Sequence, residues 1–103
     1  SGGNLQRVIL ARELSHQPKV VLAYSPTRGL DINATHFVHQ RLIELRDNRV
    51  GVLLVSEDLD EIFNLSDRIA VIFKGEIVDV VSCQQATREK IGLMMTGGRE
   101  VTQ

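Results

Sequence analysis

Four apolar residues, Val20-Val21-Leu22-Ala23, run uninterrupted into Tyr24-Ser25-Pro26-Thr27-Arg28-Gly29-Leu30-Asp31. A short apolar run closed by turn residues reads as a strand covered on both faces, the kind that parallel α/β sheets contain. Pro26 fixes its own φ and biases Ser25 toward extended geometry, Gly29 permits a backbone that other residues avoid, and Asp31 can cap a following helix. The pattern recurs at Gly51-Val52-Leu53-Leu54-Val55, which passes through Ser56 and Glu57 into Asp58-Leu59-Asp60-Glu61-Ile62-Phe63. Open α/β sheets place their ligands just beyond strand ends such as these.

Helical spacing fills the intervals. Between residues 1 and 15, Leu5, Val8, Ile9 and Arg12 share one side, with Ser1 as cap and Pro18 past the stop. Two glycines at a helix amino terminus offer free N–H groups and the positive dipole end to an anion; the plainer reading is a flexible glycine-rich end. From Asp31 to about Asn48 a second helix places Ala34, Val38, Leu42 and Leu45 on its dry side. Asp58 followed by Glu61 imitates a capping box, with Leu59, Ile62 and Phe63 as the buried stripe. Residues 69–73 and 76–81 read as strands joined by Lys74-Gly75, a two-residue hairpin turn, with Glu76 and Asp79 as charges that blunt an edge. A last helix from about Gln84 to Met95 buries Ile91, Met94 and Met95 and ends at Gly97-Gly98.

Parallel strands at 20–24, 51–55 and 69–73, an antiparallel strand at 76–81 and helices on the faces make an α/β fold with a mostly parallel sheet. The 103 residues suffice for one small domain, which would bury somewhat more than about 60% of its unfolded surface. A net charge of -1 selects no polyanionic partner, and nucleic acid is not expected. Cys83 has no second cysteine to pair with, so a reducing setting is expected, and no stretch has the length and apolarity of a membrane span. His36 and His39 stand three apart, a spacing that can chelate a metal; with no acid or thiol at a matching position they read as a surface pair. The acids Glu57, Asp58, Asp60 and Glu61 read as dipole-complementing residues of a helix start rather than as a metal or acid/base cluster.

The strand followed by Pro-Thr-Arg-Gly-Leu-Asp resembles the Walker B strand and D-loop of ABC transporter ATPases. Ser1-Gly2-Gly3-Asn4-Leu5-Gln6-Arg7 resembles the signature of the same family, lacking the leucine that usually precedes it. Together with Leu54-Val55-Ser56-Glu57-Asp58-Leu59-Asp60-Glu61 these motifs stand in the family's order and cover nearly the whole chain. Ser-Glu-Asp-Leu-Asp-Glu-Ile and the ending Ile-Gly-Leu-Met-Met-Thr-Gly-Gly look most like the second half of the tandem ATPases that drive import of simple sugars, the nucleoside-type branch in particular. The chain opens inside the signature, so it is expected to be the carboxyl-terminal part of that half, residues 1–98 with a tail at 99–103.

The resemblance implies a partial RecA-like P-loop NTPase fold lacking the Walker A strand. In the family's fold that strand lies between the second and third strands here, so self-association or a rearranged sheet is expected from the exposed central edge. By the resemblance, Ser1, Gly2 and Gly3 would contact the γ-phosphate of ATP held by the opposite nucleotide-binding half, with Gln6 nearby, and Asp31 is the D-loop aspartate. No G-x-x-x-x-G-K-[ST] sequence occurs; Tyr24 stands where the magnesium-holding acid belongs, Ser25 where the water-polarising glutamate belongs, and Glu57 where the switch histidine belongs. A phenol and a hydroxyl are neutral at pH 7 and give magnesium no charge partner.

The chain alone is therefore expected to be inactive, to carry no catalytic or metal-ligating residue, and to bind neither ATP nor magnesium unaided. The whole assembly would use both, on the cytoplasmic face of two membrane subunits of a bacterial inner-membrane importer. A non-catalytic interaction or regulatory module of the same fold is the alternative. A receiver-like signalling domain would need acids at the strand ends, where Tyr24 and Ser25 stand instead.

Overall fold

The computed structural model describes residues 19–98; the expected first helix, the anion-site residues Ser1, Gly2, Gly3 and Gln6, and the tail lie outside them. The order of elements is β1 (Val20–Tyr24), α1 (Ile32–Asp47), β2 (Gly51–Val55), α2 (Leu59–Leu65), β3 (Arg68–Phe73), β4 (Glu76–Ser82) and α3 (Arg88–Met95). They fall into two compact units, one up to Asp58 and one from Leu59.

In the first unit β1 and β2 pair in parallel, from Val20 opposite Gly51 to Tyr24 opposite Val55. A parallel pair needs a crossover, and α1 supplies it. Asp31 is the N-cap, its Oδ1 accepting the Ala34 N–H at 2.7 Å, while its carbonyl accepts from Thr35 at 2.9 Å. Val38 and Leu42 are the buried positions of α1, which packs on β2. Burial of side chains of this size contributes roughly 1.5–3 kcal/mol each. The helix ends with Arg49 in the left-handed region at φ 65, donating to Arg46 O at 2.9 Å, while Val50 donates to Leu45 O at 3.0 Å. This is the 5→2 and 6→1 pattern of a Schellman end, built with an arginine where glycine is usual.

Only one face of β1 is dry. Val21 and Ala23 are fully buried, whereas Val20, Leu22 and Tyr24, with Leu53 and Val55 in register beside them, are exposed. The expectation of a strand covered on both faces is corrected for β1 among the described residues: an apolar run marks affinity for a cover without supplying one.

In the second unit β3 and β4 form a separate antiparallel sheet. The third strand, expected to extend the parallel sheet, pairs with β4 and not with β1 or β2. The local hairpin closes without help: Lys74 and Gly75 take φ 50 and 81, both left-handed, as the tightest hairpin turn requires. A register shift lies between Val71, opposite Asp79, and Ile72, opposite Ile77. The core joins Ile69 and Val71 of β3 to Ile91 and Met94 of α3, with Leu59, Ile62 and Phe63 of α2 packed against them.

α3 starts at Arg88, later than expected, because Thr87 is its cap, Oγ1 accepting the Lys90 N–H at 3.1 Å; residues 83–85 form a turn. Met95, expected inside, is exposed, since only the Ile91 and Met94 side of this short helix faces β3. Gly97-Gly98 terminates the helix as expected, Gly98 donating to Leu93 O at 3.1 Å and Gly97 to Met94 O at 3.0 Å.

Candidate functional site

The carboxyl ends of β1 and β2 carry the residues whose types depart from the resemblance. β1 delivers Tyr24, exposed at the sheet edge, and then Ser25, whose N–H donates to Val55 O at 2.7 Å and prolongs the parallel ladder by one bond. Ser25 was expected to be extended and instead sits at φ 44. The chain must reverse at once, and the Arg28 N–H closes back on Ser25 O at 3.3 Å, followed by Leu30 on Thr27 O at 3.1 Å. Pro26 is fully buried under this reversal. Gly29, at φ 79 with open space where a side chain would project, lets the loop turn into the Asp31 cap.

β2 delivers Glu57 to the same edge. Its Oε2 lies 3.5 Å from Nη2 of Arg28, so the loops after two adjacent strands are joined by an ion pair. With the side chains 62% and 79% exposed, the pair is worth no more than about 1 kcal/mol. Reading the sequence named Tyr24, Ser25 and Glu57 but passed over Arg28. No local signal marks it: Tyr24 and Val55 are partners, and only that register puts Arg28 and Glu57 each past the end of one of two neighbouring strands.

The structure thus brings Tyr24, Ser25 and Glu57 to one end of the parallel pair and places Asp31 at the start of α1, its carboxylate engaged as a helix cap. Among the described residues no three of His, Cys, Asp and Glu converge as a ligand set. The donors at this edge, a phenol and a hydroxyl beside Glu57, do not fit a magnesium ion. His36 is exposed and His39 half-buried on α1. The four acids after β2 do not act as one cluster: Ser56 Oγ accepts the Asp58 N–H at 3.0 Å, Asp60 pairs with Arg88 at 2.7 Å, and Glu61 is 2% exposed.

The chain is 50% identical over 99% of its length to a glucose import ATP-binding protein of Haloferax volcanii. It is 51% identical over 97% of its length to a guanosine import ATP-binding protein of Bacillus subtilis, and 48% identical over 95% to a nucleoside import ATP-binding protein of Lactococcus lactis. The chain is thus similar along nearly its whole length to three import ATP-binding proteins. It spans 18%, 20% and 19% of those three relatives, about a fifth of their length. No protein-family model matches it. It is similar as well to a ribose import ATP-binding protein of Lacticaseibacillus paracasei, at 40% identity over 97% of the chain. Among its described residues no helix is long and apolar enough to cross a membrane.

Proposed function

We propose that the chain is part of an ATP-binding subunit that energises import of simple sugars or nucleosides. The observation that carries this reading is identity of 48% to 51% to three import ATP-binding proteins along nearly the whole chain. In this reading the subunit lies on the cytoplasmic face of two membrane subunits of an inner-membrane importer and pairs with another nucleotide-binding half. It is the carboxyl part of the second half of a tandem ATPase, with ATP and magnesium used by the assembly and not by this chain alone.

Its own contribution is to complete the partner half's ATP site with Ser1, Gly2, Gly3 and Gln6, with Asp31 at the D-loop position. The residues at the strand ends support a half that does not hydrolyse: a phenol ends β1, a hydroxyl follows it, and Glu57 after β2 is engaged with Arg28. The test is Ser1→Arg in the full-length importer, which is expected to abolish ATPase and uptake; unchanged ATPase and uptake would sink the reading.

The alternative of a non-catalytic interaction module is favoured by one observation, the exposed apolar row Val20, Leu22, Tyr24, Leu53 and Val55. Such a row, beside strand edges that are unpaired among the described residues, also supports self-association of this chain. Equilibrium sedimentation separates the cases, since a monomer at high concentration counts against self-association.

A further inference from the structure

We propose that Arg28 is a positioning residue that holds the loop after β1 in place through Glu57. The loop from Ser25 to Leu30 is tied to the end of β2 by the Ser25 N–H on Val55 O at 2.7 Å and by the Arg28–Glu57 pair at 3.5 Å. The first tie is backbone and is the same whatever side chains stand there. The second depends on charge and is the adjustable one.

Holding is needed, because Ser25 at φ 44 occupies a region that a residue other than glycine keeps only when its surroundings impose it. Gly29 at φ 79 has nothing packed where a side chain would be, so the descending half of the loop gains no rigidity from contacts at that point. Between these two positions the Arg28 side chain reaches the end of a different strand. An exposed pair of this kind breaks and reforms readily, which makes the loop's placement sensitive to the charge at position 57.

Loss of the Glu57 charge therefore removes this tie and loosens the turns that lead to the Asp31 cap. This inference rests on the proposed function only for what the loop serves, the setting of Asp31 toward a partner half; the tie itself stands on geometry.

The test is amide hydrogen exchange of the 103-residue chain, wild type against Glu57→Gln, Arg28→Glu and the exchanged pair Arg28→Glu with Glu57→Arg. Exchange at Arg28 and Leu30 is expected to quicken about two- to fivefold in each single variant. It should return toward wild type in the exchanged pair, and in wild type it should quicken with added salt. The amides of Val21 and Leu53 serve as the folding control and should not change. Unaltered exchange at Arg28 and Leu30, an equal rise at Val21 and Leu53, or no recovery in the exchanged pair would each overturn the proposal. The measurement contains no nucleotide, so its failure leaves the import reading standing, and failure of Ser1→Arg leaves this one standing.

Discussion

Gly97 lies against the ring of Phe73: a Cβ added there would come within 2.5 Å of Phe73 Cε2, and the backbone is left-handed at φ 88. The end of α3 and the end of β3 are thus fitted to each other at a point where no side chain has room. Gly97→Ala should cost about 2–4 kcal/mol, from the left-handed conformation together with overpacking. Urea unfolding of the single and double variants checks it. Because Phe73→Ala removes the ring, the loss from Gly97→Ala should shrink in that background to the conformational part.

Arg49 makes the converse prediction. It holds the glycine position of a Schellman end at φ 65, so the strain can be relieved without removing any bond of the motif. Arg49→Gly should stabilise the chain by about 0.5–1 kcal/mol, the relief of strain being partly offset by the greater entropy of unfolded glycine. Thermal unfolding should shift upward by a few degrees, roughly the scale set for a small domain. A lower midpoint would show that the arginine side chain contributes more than its backbone costs.

Asp31 carries two readings, helix cap and D-loop aspartate, that one pair of substitutions separates. Asp31→Ala removes the oxygen that accepts from Ala34 and should cost about 1 kcal/mol of stability. Asp31→Asn keeps an oxygen at the cap and should be close to neutral by urea unfolding. In the full-length importer proposed above, a loss of ATPase in Asp31→Asn at undiminished stability would assign the carboxylate a role beyond capping.

These positions also show what the sequence makes legible. The strands at 20–24 and 51–55, the Asp31 cap and the Lys74-Gly75 hairpin are local patterns, each decided within a few residues, and each stands where periodicity and turn chemistry put it. Sheet membership is a long-range property. β3 has the composition of a parallel core strand, but a two-residue turn brings β4 beside it, and loop closure over so short a span costs little.

The placement of Tyr24, Ser25 and Glu57 at strand ends was legible from the apolar runs that precede them. The Arg28–Glu57 pair was not, because it depends on the register of β1 against β2. Glu61 was read with the dipole-complementing acids of a helix start and is buried, at 2% exposure.

Nucleotide binding by the chain itself decides the remaining question. The loop after β1 offers a neutral serine and an arginine engaged by Glu57, and the described residues contain no converging acids to hold a magnesium shell. Phosphate sites of the kind that bind tightly use a glycine-rich loop with its lysine, and no such loop occurs in these 103 residues. Titration of ATP and magnesium, followed through the amide shifts of Ser1 to Gln6 and of Tyr24 to Asp31, should therefore show no saturation below millimolar concentration. That result fits a half that acts only on its partner's nucleotide. Saturable micromolar binding that moves Tyr24 to Asp31 would place a phosphate site at the strand ends and overturn the non-hydrolysing reading. Shifts confined to Ser1 to Gln6 would place the anion contact at the glycine pair and show that it binds without a partner half.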